Sequence, residues 1–186
     1  KQDINQILPD AVVLPPIKAA DLLNLLSDQK LPKPSHVHII DGLFYSSLSV
    51  RHKEILYVIS QGISVSGASS MGALRAAELS DYGMTGYGRV FDFYSSSPVT
   101  NDDEVAISHT SEPPFTPLTI PLINIRLSLQ DLALAKAISP EVSDKVLDLC
   151  SCLHFSDRTK RNVINTLQQH SIDPELINQF SDWKHL

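Results

Sequence analysis

An α/β fold is what this sequence predicts: a mostly parallel sheet with flanking helices, followed by a helical C-terminal segment. Three observations carry the prediction. Short β-like runs alternate with amphipathic stretches between positions 36 and 79, and the order strand, helix, strand, helix favours parallel pairing through right-handed crossovers. From Ile123 onward the apolar residues recur at helical spacing. Hydrophobic residues make up 42% of the 186 positions, enough for a buried core and against global disorder.

Each element follows from its own residues. Ala11-Val-Val-Leu14 is a short β-like run closed by Pro15-Pro16, and Ala19 to Ser27 carries the leucines of a helix. Lys30 to Ser35 holds two prolines and reads as a loop. His36 to Ile40 is the second strand, ending in Asp41-Gly42. A helix over about Val50 to Gln61 stops at Gly62, a C-terminal cap. Ile63 to Ser66 is the third strand and Met71 to Leu79 the third helix. Ser80 to Gly88, with Gly83, Gly86 and Gly88, reads as a tight loop before the amphipathic Arg89 to Tyr94. The acidic turn Asn101 to Glu104 leads into a β-like Val105 to Ile107, and Ser111 to Pro121 is a proline-rich connector. Four helices are expected beyond it, over Ile125 to Ile138, Pro140 to Leu153, Asp157 to His170 and Pro174 to Phe180. Residues 1–121 then form the α/β core, and residues 122–186 a helical segment packed on it.

Composition narrows the function. The formal charge is −6, from 15 basic and 21 acidic residues. A duplex-binding surface needs clustered Lys and Arg, and the longest basic run, Arg158-Thr-Lys-Arg161, reads as a solvated helix face, so no nucleic-acid partner is expected. Nothing approaches the ~20 apolar residues that cross a bilayer. No leader-like start is visible, and the two cysteines, Cys150 and Cys152, point away from each other on one helix. A cytoplasmic protein is expected, with no cofactor and no metal.

The chemistry concentrates where a strand feeds through Gly67-Ala-Ser-Ser into a helix within about four residues. So sharp a turn needs small side chains. Ala68-Ser-Ser-Met-Gly72 fits the nucleophile-elbow spacing, with alanine in place of the first glycine and Ser70 at the centre. Three roles are open to Ser69 and Ser70: helix N-cap, anion site on free N–H groups, or nucleophile beside oxyanion-stabilising N–H groups.

The wording of the longer stretch goes further. His52-Lys-Glu-Ile-Leu56, Gly67 to Leu79, Tyr82-Gly-Met-Thr-Gly-Tyr-Gly88 and Asp102-Asp-Glu-Val-Ala106 closely resemble TfuA proteins. Leu14-Pro-Pro16, Ile39-Ile-Asp-Gly42 and Asn124-Ile-Arg126 agree as well, so the resemblance spans about residues 11 to 130. Two departures stand out. The family's opening strand and Gly-Pro-Ser/Thr-Leu turn have no counterpart, which suggests an N-terminally truncated chain. Ala20 stands where family members commonly have glycine, just before the aspartate that matches Asp21.

The resemblance implies a partner of a YcaO enzyme in peptide backbone thioamidation. It implies hydrolysis of the thiocarboxylated C-terminus of a ThiS-like, ubiquitin-fold sulfur-carrier protein, with release of sulfide, and help in holding the precursor or target peptide. It further implies a serine–lysine pair, here Ser70 and Lys53; on chemical grounds the N–H groups near Met71 and Gly72 are the natural oxyanion donors. Lysine acts as a base only where burial or a nearby cation lowers its free value of about 10.4. Helical projection from Ile55 and Ile59 instead points Lys53 toward solvent and brings His52 near the apolar face. A binding module that only docks on the YcaO enzyme is the alternative.

Other residues have two readings each. Arg75 and Glu78, three apart, suit a salt bridge, while Arg75 is also near enough to the helix start to receive a substrate carboxylate. Asp41 ends a strand where α/β proteins place ligands, or it caps the turn. Ser69 belongs with the substrate-binding group. His52, Glu54, Glu78, Asp102, Asp103 and Glu104 are assigned structural or partner-contact roles; Asp102, Asp103 and Glu104 could hold a metal, but one acidic cluster lacks the octahedral set that magnesium wants. His109 could act as a base. His36 and His38 alternate along a strand and face one side, too few ligands for zinc.

Overall fold

The computed structural model describes residues 8–44, 47–96, 101–111 and 115–181. The chain forms two compact units, residues 1–98 and 99–186.

In the first unit three short strands form a parallel sheet in the order β1-β2-β3. They are β1 (His36–Ile39), β2 (Ser64–Ala68) and β3 (Thr85–Tyr87). His38 pairs with Ser66, Ile39 with Gly67, Ser66 with Thr85 and Ala68 with Tyr87. The helices are α1 (Asp21–Ser27), α2 (His52–Ser60), α3 (Met71–Glu78) and α4 (Arg89–Ser96). Alternation sorts the strand residues onto two faces. Ile39, Val65 and Gly67 share the face on which α3 lies, since a side chain at Gly67 would strike Gly72 of that helix. Leu22, Val50, Ile55, Val58, Leu74 and Met84 are also buried in this unit. His36, His38, Ser66, Thr85 and Tyr87 share the opposite, polar face. Helix α2 stops as expected, with Gly62 at φ +76° just past its end.

Three expected features differ. Ala11 to Leu14 is not a strand: Val12, Val13 and Leu14 are exposed, and a lone parallel bridge from Ile17 to Gly42 is what joins this stretch to the sheet side. The glycine-rich Ser80 to Gly88 is not merely a loop, because it holds a 3-10 turn over Ser80–Tyr82 and then β3. Gly86 is compatible with a strand because the Phe91 ring of α4 fills the space its side chain would take; a Cβ there would lie 1.9 Å from the ring. Val105 to Ile107 is not a strand either, as it leaves a 3-10 turn over Asp102–Glu104 with Val105 and Ala106 buried.

The second unit is helical: α5 (Leu122–Leu134), α6 (Pro140–Ser151), α7 (Lys160–Gln169) and α8 (Pro174–Ser181). Their stripes bury Ile125, Leu129, Val146, Cys150, Val163 and Leu167 in one cluster. Ser139 caps α6, accepting from the Val142 N–H with Pro140 in the first turn, and Thr159 caps α7 by accepting from Asn162. Positions 112–114 of the proline-rich connector lie outside the described residues. Among the described residues no helix is long and apolar enough to cross a membrane.

Candidate functional site

The turn from β2 into α3 is built on close backbone approach. A Cβ at Gly67 would meet the Gly72 carbonyl oxygen at 2.0 Å, and one at Gly72 would meet the Ile39 oxygen at 1.9 Å. Only glycine allows the helix to begin directly against the ends of β1 and β2. Ser69 takes a left-handed φ of +63°, a strained conformation for serine. Ser70 then occupies the N-cap position with φ −58° and ψ −115°, and its side chain makes no capping bond. Its carbonyl accepts from Leu74, so the backbone starts the helix while the hydroxyl is uncommitted among the described residues. Ser69 is exposed and Ser70 half-buried.

Of the N–H groups expected to face an oxyanion, that of Gly72 donates to the Ile40 carbonyl at 3.3 Å. Met71, at the first helical position, has no acceptor within its own helix. The Met71 side chain packs against Gly42, where a Cβ would lie 2.9 Å from it, so the end of β1 adjoins the elbow. Asp41 sits there, exposed; its carboxylate accepts from the Gly42 N–H at 2.8 Å and its carbonyl from Ile17 at 3.1 Å.

Lys53 lies in the first turn of α2 and is exposed. Among the described residues no hydrogen bond joins its amine to Ser70. Its neighbours tie α2 to the far end of α3. His52 Nε2 bonds Glu78 Oε2 at 2.7 Å, and Glu78 is eight residues past Ser70, about 12 Å along a helix. Arg75 is buried and its guanidinium is committed: Nε donates to the Val50 carbonyl, one terminal nitrogen to Ser49 Oγ, the other to Glu78 at 2.5 Å. Glu54 is buried as well, and its carboxylate accepts from the Ala20 N–H at 2.8 Å, holding the start of α1.

The acidic turn is used inside the second unit. Asp103 pairs with Arg158, whose side chain is fully buried ahead of α7 and so is not part of the solvated helix face expected of Arg158 to Arg161, and Glu104, buried, pairs with Arg126. Asp102 is exposed. His109 is exposed, donates from Nδ1 to the Thr110 carbonyl at 2.7 Å and stacks edge-on against Phe115. Among the described residues no three His, Cys, Asp or Glu side chains gather as a metal site would require. Burial pushes the Cys150 thiol up to about 12, against the opposing pull of Arg158, so it is inert.

One constellation had only a faint signal in the sequence. The Ser66 hydroxyl lies 2.7 Å from His36 Nε2 and 2.7 Å from His38 Nδ1. The alternation of the two histidines was legible; the serine between them needed the register of β1 against β2.

Comparison with known proteins bears on the whole stretch. A family model described as TfuA-like protein matches residues 41–159, well over half of the chain. None of the curated proteins matches.

Proposed function

As the chain belongs to the TfuA family, we propose that it works beside a YcaO enzyme in peptide backbone thioamidation and hydrolyses a thiocarboxylated, ThiS-like carrier protein, with Ser70 as nucleophile and Lys53 as base. The carrying observation is the Ser70 hydroxyl, which stands at the head of α3 without capping it. Serine in that position ordinarily spends its oxygen on the helix; here the oxygen is available for attack. Addition to the thiocarboxylate carbon, loss of the hydroxyl proton to a base and cleavage of the C–S bond give an acyl-serine and sulfide. Water then cleaves the ester and frees the carrier carboxylate. The Met71 N–H is the better placed oxyanion donor, since that of Gly72 is already bonded.

A lysine amine serves as base where burial or a nearby cation lowers its ordinary value, and Lys53 is exposed. The docked carrier must therefore supply the burial or the neighbouring positive charge. The same exposure, with no bond between Lys53 and Ser70, favours a second reading, in which the protein docks on the YcaO enzyme and its peptide without chemistry of its own. Incubation with a thiocarboxylated carrier separates the two. Sulfide release, with exchange of sulfur for oxygen in the carrier's intact mass, is expected from the native chain and lost in Ser70→Ala and Lys53→Ala. Equal sulfide release from native protein and Ser70→Ala overturns the hydrolytic reading and leaves the docking one.

A further inference from the structure

The polar face of the sheet carries a hydrogen-bonded line that the elbow chemistry does not use. His36 and His38 stand two residues apart on β1, and Ser66, paired with His38, lies between their rings on β2. Both histidines are exposed, yet Ser66 is 1% exposed. The inner nitrogens, His36 Nε2 and His38 Nδ1, are engaged with Ser66, which leaves His36 Nδ1 and His38 Nε2 as the outer nitrogens of two exposed rings, while the residue linking them is sealed off.

A serine hydroxyl has one hydrogen to give. With both rings neutral, one imidazole must accept from Ser66 and the other must donate to it. The tautomers are therefore complementary, and moving a proton through Ser66 flips both. Two cationic rings are disfavoured, because both would donate to Ser66 and leave its buried hydrogen without an acceptor. Burial, and after it repulsion from His36, also hold His38 below its ordinary value. Tyr87 is the other titratable side chain in register on this face among the described residues, its ring 6.5 Å from that of His38.

The strand that carries Ser66 leads to the elbow. Ser66 is two residues, about 7 Å of strand, before Ala68, which pairs with Tyr87 and leads directly into Ser69-Ser70. We propose that His36, Ser66 and His38 form a proton relay that carries the proton of the hydrolytic water from the elbow to solvent along the polar sheet face.

Its use rests on the hydrolytic reading of Ser70; its existence does not. Water attacking the acyl-serine gives its proton, through one or two bridging waters, to His38 Nε2. His38 passes its Nδ1 proton to Ser66 Oγ, Ser66 passes its own to His36 Nε2, and His36 Nδ1 releases one to solvent. One proton enters and one leaves, and both outer nitrogens belong to exposed rings, where exchange with solvent between turnovers resets the pair.

The test uses the full chain with ¹⁵N-labelled histidine. NMR is expected to find opposite inner-nitrogen protonation in His36 and His38 of the native protein. That complementarity should be lost in Ser66→Ala and kept in Ser66→Thr; His36→Gln, at an exposed position, should release the tautomer bias of His38 without risk to the fold. In sulfide release, His38→Gln should cut the rate about tenfold to a hundredfold and remove the acid limb of the pH–rate profile, which lies below the ordinary histidine value of 6.5. Inner nitrogens in like states in the native protein, unchanged by Ser66→Ala, overturn the relay. So does an unaltered pH–rate profile in His38→Gln when Ser70→Ala is inactive. If Ser70→Ala retains full sulfide release, the hydrolytic reading fails instead, and the tautomer measurement still decides whether the relay exists.

Discussion

Single residues explain several departures from what the sequence suggests. Ala20 has φ +73° at the entrance to α1. An L-residue in that region costs about 1–2 kcal/mol, and the Glu54 carboxylate holds the strained peptide by accepting its N–H. Ala20→Gly removes the strain, at some cost in unfolded-chain entropy. The expected gain is about 1 kcal/mol, read as a rise in melting temperature of about 2–4 °C. His38 offers a pH test. Desolvation, then the charge of His36, lowers its folded-state value, so between the ordinary 6.5 and that lower value the unfolded chain binds more protons. The His38 contribution to stability is thus intact above 6.5 and lost as pH falls through the folded value. Urea midpoints at pH 7.5 and 5.5 should drop further in the native protein than in His38→Gln. Equal drops would leave His38 without a part in acid sensitivity.

At the scale of elements, the glycines of this chain do different jobs, and that difference decides what was legible. Gly62 has φ +76° with nothing within 4 Å of an added Cβ, so Gly62→Ala should cost about 1 kcal/mol of backbone strain. Gly72 sits with β1 backbone at 1.9 Å from the position of its missing Cβ. Gly72→Ala must push α3 off the sheet and should cost about 3 kcal/mol or more; comparable denaturation midpoints for the two variants would refute the close-approach account of the elbow. Strand–turn–helix spacing revealed this elbow because small residues crowd where backbones meet. β3 was not legible, because Gly83, Gly86 and Gly88 carry the signature of a loop and the reason for Gly86, the Phe91 ring, comes from another element. Ala11 to Leu14 misled in the other direction. Its apolar residues have strand propensity, but propensity makes a strand only beside a partner edge. The elbow residues of the candidate site were readable from local spacing. The placement of His52 on Glu78, of Glu54 on Ala20 and of Ser66 between two imidazoles depends on register and packing between elements distant in sequence.

Across the whole molecule, the family match runs from position 41 to 159 and so crosses the division at 98 and 99. The acidic motif that follows the division supports the fold of the second unit. Glu104 holds Arg126 of α5, and Asp103 holds Arg158, the residue just ahead of the Thr159 cap of α7. The Asp103–Arg158 pair is asymmetric: the arginine side chain is 0% exposed and the aspartate side chain 38%. Arg158 also donates to the carbonyls of Leu153 and Asp103. Removing a partner from a buried pair is costly when the charge left behind cannot reach water. Asp103→Ala strands a buried guanidinium and should destabilise by about 3–5 kcal/mol. Arg158→Met leaves an aspartate whose side chain is partly exposed, although its Oδ1 is buried without a hydrogen-bond partner among the described residues, and an apolar chain of similar length in the arginine's place. It should cost about 1–3 kcal/mol, chiefly through the two carbonyls left unpaired. Helical circular dichroism followed through guanidinium unfolding of both variants and the double variant gives the comparison, with coupling taken from the cycle. Should Arg158→Met prove the more damaging, the pair is held by packing and carbonyl bonds more than by charge, and the acidic turn is not the anchor of the helical unit.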